Sequence, residues 1–290
     1  MSPDRHGRVA DVVLGYDTVA QYQHDPRPLG AIMGRCANRI RDSRFTLDGT
    51  TYHLTANVGR HHLHGGAKGF DKVEWQGKPF KGSSTSGAVF EYTSPDGEEG
   101  YPGTLRCRVT YTLTAKNELI VDYWATTDKA TPVNLTQHSY FNLHGRGAGD
   151  VLGHLLHVNA NEYTPLDEEL IVTGEIASVR GTPYDFRALT AIGVRVPGSG
   201  YDINYVLNRR GAGEGVLVHA AHVEEPESGR TLDVHTTEPG MQLYTGDGSA
   251  FCLETQHHPD AVNHPRWPSV ILRPGAEYRS RTVFTFGIVS

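Results

Sequence analysis

The stretch RVTYTLTAKNELIVDY, residues 108 to 123, decides the fold class. In its first half Val109, Tyr111 and Leu113 alternate with Arg108, Thr110 and Thr112. In its second half Leu119, Val121 and Tyr123 alternate with Glu118, Ile120 and Asp122. A period of two sends successive side chains to opposite faces, so each half reads as a strand with one wet face. Further out, VILRPGAEYRSRTVFTF (residues 270 to 286) holds an apolar run, a turn at Pro274 and Gly275, then Val283, Phe284 and Phe286; it reads as a β-hairpin. Gly and Pro, 33 and 16 residues, punctuate the chain at short intervals, which implies short elements. Few windows support a long amphipathic helix; Phe186 to Gly193 is the best, and it is short. Successive strands without intervening helices predict an all-β protein, a large antiparallel β-sandwich. With no internal repeat and no long linker, residues 1–290 read as a single domain.

Composition narrows the function classes. The chain is 38% hydrophobic and 21% charged, which supplies a sizeable core and excludes disorder. Its net charge of −6 lacks the cationic footprint that nucleic acid or an anionic membrane requires. No run reaches the roughly 18 apolar residues of a membrane span. The N-terminal MSPDRHGRVADVVLGYDT carries charges where a signal peptide has its apolar centre, so the expected location is cytoplasmic. Cys36, Cys107 and Cys252 are widely spaced and odd in number, which predicts buried thiols in a reducing compartment and neither a disulfide framework nor a zinc knuckle.

Sixteen histidines call for an explanation. In NLTQHSYFNL (134 to 143), read as a strand, Asn134, Thr136, His138, Tyr140 and Asn142 form a hydrogen-bonding stripe on one face. In FCLETQHHPDAVN (251 to 263), Glu254 sits beside Cys252 and Leu253; a carboxylate so placed is paired, hydrogen-bonded or shifted in pKa, which is how a general base is tuned. His61, His62 and His64 are close in HHLHGGAKGFDKVEW (61 to 75), yet Lys68 and Gly69 stand where a supporting carboxylate would be needed, so no metal site is expected. The two following glycines imply a close backbone approach and leave His64 to face a ligand. GRCANRI (34 to 40), GYDINYVL (200 to 207) and PGMQLYTG (239 to 246) add Asn38, Arg39, Asp202 and Gln242, donors and acceptors suited to the hydroxyls of a sugar. The glycine clusters at Gly145, Gly147, Gly149 and at Gly211, Gly213, Gly215 lead into no helix and read as loop tips.

GRCANRI, LHGGAKGFDKVEW, GEEGYPGTL, NLTQHSYFNL, GYDINYVL, EPGMQLYTG and FCLETQHHPDAVN, in that order, resemble the galactose mutarotases, or aldose 1-epimerases, from about Asp11 to the C-terminus. The resemblance implies a β-supersandwich and an isomerase that interconverts the α and β anomers of a free hexose such as galactose or glucose. By position it implies Glu254 as general base and His138 as general acid. Asn38, Arg39, His64, Tyr140, Asp202 and Gln242 would hold the sugar, with no metal or organic cofactor. The partner would be a small aldose, bound by a monomer or homodimer. The family pattern implies a further strand ahead of PDRHGRVADVVLGYD and a longer loop at YTGDGSAFCLE; the first predicts an unpartnered apolar edge at Val9 to Gly15. The residues leave three alternatives: a glycoside hydrolase using Asp202 and Glu254, a non-catalytic sugar-binding protein, and an enzyme of sugar phosphates using Arg41, Arg44 or Arg60.

Overall fold

A computed structural model describes residues 1–24, 27–213 and 215–289. The alternating stretch forms the strands Leu105–Thr114 and Glu118–Thr127, paired antiparallel from Leu105 opposite Thr127 to Leu113 opposite Leu119. They lie within a nine-stranded sheet, in the order Thr190–Ala191, Leu155–Val158, Val218–Glu224, Arg230–Thr236, Tyr278–Ile288, Glu118–Thr127, Leu105–Thr114, Thr85–Ser94 and Gln76–Lys81. The last strand is an open edge blunted by exposed Lys78, Pro79 and Lys81. A second sheet of five strands runs Ala177–Ser178, Ala160–Tyr163, Asp202–Leu207, Gly240–Tyr244 and Cys252–Gln256.

One core joins the two sheets. Val109, Val121, Leu232, Val234 and Phe284 of the nine-stranded sheet and Ile203, Tyr205, Met241, Leu243 and Leu253 of the five-stranded sheet belong to the same buried cluster. The architecture is the expected all-β antiparallel sandwich.

Four local expectations change. Ile271–Leu272 pairs with Thr131–Pro132, while Tyr278–Ile288 runs between Glu118–Thr127 and Arg230–Thr236, so residues 270 to 286 are not a hairpin. The turn residues at Pro274 and Gly275 separate the two strands, but tertiary packing sends them to different sheets. Phe186 to Gly193 is not an α-helix: only Ile192–Arg195 winds there, as a 3-10 turn, and among the described residues the α-helix is Val19–His24. In residues 134 to 143 only Thr136–Gln137 is a strand, beside Ile32–Met33. The apolar edge at Val9 to Gly15 is also not open. Leu14 N–H donates to the Tyr140 carbonyl and Asn142 N–H to the Val12 carbonyl, with Val9–Ala10 pairing to Ser2–Pro3.

Candidate active site

The segment around Asn38 is laid against the segment around His138 by backbone bonds. Asn134 N–H donates to the Arg35 carbonyl, Ala37 N–H to the Asn134 carbonyl and His138 N–H to the Ala31 carbonyl. Arg35, fully buried, fastens this stretch through hydrogen bonds to Ser94 Oγ, Thr131 Oγ1 and the carbonyls of Ser94, Pro95 and Pro102. Strand Arg39–Ile40 then pairs with His62–Leu63, which brings in His64. The expected close approach at the double glycine is there: a Cβ on Gly65 would lie 1.7 Å from the Gly34 carbonyl oxygen, and one on Gly66 2.2 Å from Glu99 Oε2.

From the five-stranded sheet come Asp202, Gln242 and Glu254 on three adjacent strands, Asp202 beside Tyr244 and Gln242 directly opposite Glu254. Gln242 Nε2 donates to Asp202 Oδ1 at 2.5 Å, and Arg39 Nη1 lies 3.4 Å from Asp202 Oδ2. Asp202 is thereby held as an acceptor between two donors. His138 Nε2 stands 3.5 Å from Glu254 Oε1. Its ring stacks on Tyr140, with centroids 4.8 Å apart, and meets Tyr244 and His64 edge-on. All eight candidates, Asn38, Arg39, His64, His138, Tyr140, Asp202, Gln242 and Glu254, therefore converge. Tyr244 was missed as a site residue, although its alternation with Gln242 already put both on one face of their strand.

Burial sets the electrostatics. Glu254 is pushed well above the ordinary carboxylate range by burial, reinforced by the charge of Asp202 and opposed by Arg39. His138 is pushed down to about 4 by burial. Both effects favour neutral partners, a protonated Glu254 beside an unprotonated His138. That state holds the same single proton as carboxylate plus imidazolium, and one transfer between the two groups interconverts them. Glu254 Oε2 and His138 Nδ1 are buried with no hydrogen-bond partner among the described residues. Unmet polar groups in a buried site are costly and are satisfied when a polar ligand arrives.

Of the adjacent histidines, only His64 enters the site. His61 Nδ1 accepts the Asp42 N–H, and His62 is held between the Thr55 carbonyl and the Tyr101 hydroxyl. His64, His138 and Glu254 bring one ligand atom each within 4.8 Å of one another. However, His64 Nδ1 accepts the backbone N–H of Asn38 at 3.1 Å. The neutral ring then carries its proton on Nε2, which makes it a donor to a ligand oxygen and a poor ligand for a cation.

A sandwich in which a buried carboxylate of the five-stranded sheet meets a buried imidazole just after Thr136–Gln137, with guanidinium, amide and phenol side chains around them, has the groups that an acid–base enzyme of carbohydrates would use. The aldose 1-epimerase family model matches residues 1–285. The chain is 46% identical to galactose mutarotase of Bos taurus, over 98% of this chain and 86% of that protein. It is 39% identical to aldose 1-epimerase of Escherichia coli K12, over 98% and 87%. Among solved structures, an aldose epimerase homologue from C. elegans superimposes with a TM-score of 0.90 at 31% identity, covering 99% of this chain and 91% of that one. Galactose 1-epimerase from Lactobacillus acidophilus superimposes at 0.86 with 26% identity, covering 98% and 87%. The chain belongs to the aldose 1-epimerase family, and it is an isomerase with mutarotase function.

Proposed function

We propose that this site opens and recloses the ring of a free aldohexose such as glucose or galactose, with Glu254 as base and His138 as acid. O1 and the ring oxygen hang on the same carbon, so a base for one and an acid for the other must be neighbours. The 3.5 Å spacing of Glu254 Oε1 and His138 Nε2 is the observation that carries this reading. Glu254 as carboxylate removes the O1 proton, a C1=O double bond forms, the C1–O5 bond breaks, and O5 takes the proton of His138. Rotation about C1–C2 presents the other carbonyl face. O5 then attacks C1, returns its proton to His138, and O1 recovers its proton from Glu254. No proton is gained or lost over the cycle, and each transfer contributes roughly 10²- to 10⁴-fold.

Arg39, Asp202, Gln242 and His64 fix the hydroxyls while C1 moves, and Tyr140 and Tyr244 wall the site beside His138. Arg39 and Gln242 both engage Asp202, so it is already committed to binding and unsuited to the nucleophile role a glycoside hydrolase would need. Sugar phosphates are disfavoured because Arg41, Arg44 and Arg60 are each engaged by carboxylates, at Asp167, Asp42 and Glu169. No helix of the described residues is long and apolar enough to cross a membrane. Three free, buried cysteines suit a reducing compartment such as the cytoplasm. The test is polarimetric decay of freshly dissolved α-glucose and α-galactose, run beside xylose, arabinose and nitrophenyl glycosides. Accelerated decay without glycoside cleavage is expected; cleavage of the glycosides, or no acceleration with any of the sugars, would sink the reading.

A further inference from the structure

The proposed acid and base stand on segments of different sheets. Glu254 belongs to Cys252–Gln256 of the five-stranded sheet, whereas His138 follows Thr136–Gln137, which pairs with Ile32–Met33. Their spacing is therefore set by whatever joins the two segments. At one end the junction is backbone: Phe141 N–H donates to the Phe251 carbonyl and Phe251 N–H to the Phe141 carbonyl. His138 lies three residues before Phe141 and Glu254 three after Phe251, so the antiparallel register of that junction sets the two side by side.

At the other end the junction is made by one side chain. Asn134 Nδ2 donates to the His257 carbonyl at 3.1 Å, and Asn134 Oδ1 accepts the His257 N–H at 3.0 Å. An amide that meets the N–H and the C=O of one residue reproduces the two-bond exchange of an antiparallel pair. Asn134 is four residues before His138 and His257 three after Glu254, so acid and base both lie between the two junctions. The Asn134 side chain is buried. Its backbone serves a third segment, with its N–H on the Arg35 carbonyl and its carbonyl on the Ala37 N–H. One residue thus ties together the stretch bearing Asn38 and Arg39, the stretch bearing His138 and the strand bearing Glu254.

We propose that Asn134 is a positioning residue for the ring-opening step, its side-chain amide holding the His138 segment against the end of the Glu254 strand and so setting the separation of acid and base. The proposal deepens the reading of Glu254 as base and His138 as acid, and rests on it. Asparagine is the side chain this junction requires. An ionised aspartate offers no donor to the His257 carbonyl, glutamine is one methylene too long, and an alkyl side chain satisfies neither group. Loosening the junction moves acid and base relative to each other, and a misplacement of about 1 Å costs up to about 10²-fold in rate.

The test compares the unmodified chain with Asn134→Ala and Asn134→Asp by polarimetric kinetics and by proton NMR of the imidazole signals, that of His138 being identified by its absence from His138→Asn. Asn134→Ala should lower kcat about tenfold or more and change KM less, because Arg39 keeps its contact with Asp202. His138, which burial holds at about 4, should titrate closer to the ordinary 6.5 in Asn134→Ala, where water enters the loosened junction. Asn134→Asp should be impaired at a pH of about 8 and recover toward about 5, because its buried carboxyl, once protonated, again donates to the carbonyl and accepts the N–H. Turnover of Asn134→Ala within about twofold of the unmodified chain, or an unchanged His138 titration, would overturn the proposal. If Asn134→Ala does not fold, Asn134→Asp decides, and a rate relative to the unmodified chain that stays flat over that pH range overturns it. Absence of mutarotation in the unmodified chain would sink the acid–base reading alone, since the imidazole titration needs no sugar and still decides whether Asn134 sets the pair.

Discussion

The two sheets solve opposite problems. In Leu105–Thr114, buried Leu105, Cys107 and Val109 alternate with exposed Arg106 and Arg108, so one face is core and the other is water. In Cys252–Gln256 all five residues are buried, and in Gly240–Tyr244 the first four are. Polar groups on the outer face of the nine-stranded sheet meet solvent, as where Arg281 pairs with Asp122 across Tyr278–Ile288 and Glu118–Thr127. Polar groups on the five-stranded sheet must satisfy one another or wait for a ligand. Asn204, Gln242, Gln256 and His258 form such a buried chain, in which Asn204 Nδ2 donates to His258 Nδ1 and Gln256 Nε2 reaches Asn204 Oδ1 and Gln242 Oε1. A hydrogen-bonding side chain therefore counts for little on the outer face of the first sheet and heavily on the second, because desolvation sets its weight.

The strongest way to break this contrast is at the dry pair. Glu254→Gln and His138→Asn should each lower kcat by roughly 10² or more, with a retained cooperative melt, since each removes a proton carrier at nearly constant volume. Near-normal turnover in either variant would remove that residue from its role. Arg39→Ala should act mainly on affinity, raising KM about tenfold with a smaller loss in kcat, as expected of a group that positions substrate. A selective kcat loss would move Arg39 into transition-state stabilisation.

The pH dependence tests how the shared proton is held. With Glu254 raised and His138 lowered to about 4, a single proton on the pair is held by Glu254. As pH falls through about 4, His138 gains a second proton while Glu254 stays protonated, and the base is lost. kcat/KM should therefore hold across the mildly acidic range and drop only near 4. A drop near 6.5, the ordinary imidazole value, would mean that burial does not govern this histidine.

Stability should show the same dryness elsewhere. His154 and His258 are pushed down to about 4 by burial, and each accepts a hydrogen bond, from Leu143 N–H and from Asn204 Nδ2. Their folded pKa values lie below the unfolded value near 6.5, so the unfolded chain binds more protons between those limits. Their contribution is complete above about 6.5 and is lost as pH falls toward 4. The melting temperature should fall by several degrees from pH 7 to pH 5, and a flat profile would contradict it. The smallest effect belongs to the wet face: Arg281→Ala should change stability by no more than about 0.5 kcal/mol in denaturant titrations. A loss of several kcal/mol there would erase the distinction between the sheets.

The nine-stranded sheet was legible because its alternation reports a solvent boundary, and Val109, Tyr111, Val121 and Tyr123 carry it in their order alone. The candidate site residues were legible as residue types out of place, Glu254 directly after Cys252 and Leu253 above all, and by resemblance as a set. Other features were not local. Whether VILRPGAEYRSRTVFTF closes on itself or divides between two sheets depends on partners at Thr131, Glu118 and Arg230. That the Val12 to Leu14 backbone is covered depends on Tyr140 and Asn142. Sequence determined the class of fold and the chemical kinds of group, because period and composition are properties of neighbouring residues. Only the tertiary structure decided that His61 and His62 turn away from His64 into hydrogen bonds of their own, and that Glu254 and His138 stand 3.5 Å apart and buried. Distance and desolvation depend on residues more than a hundred positions apart.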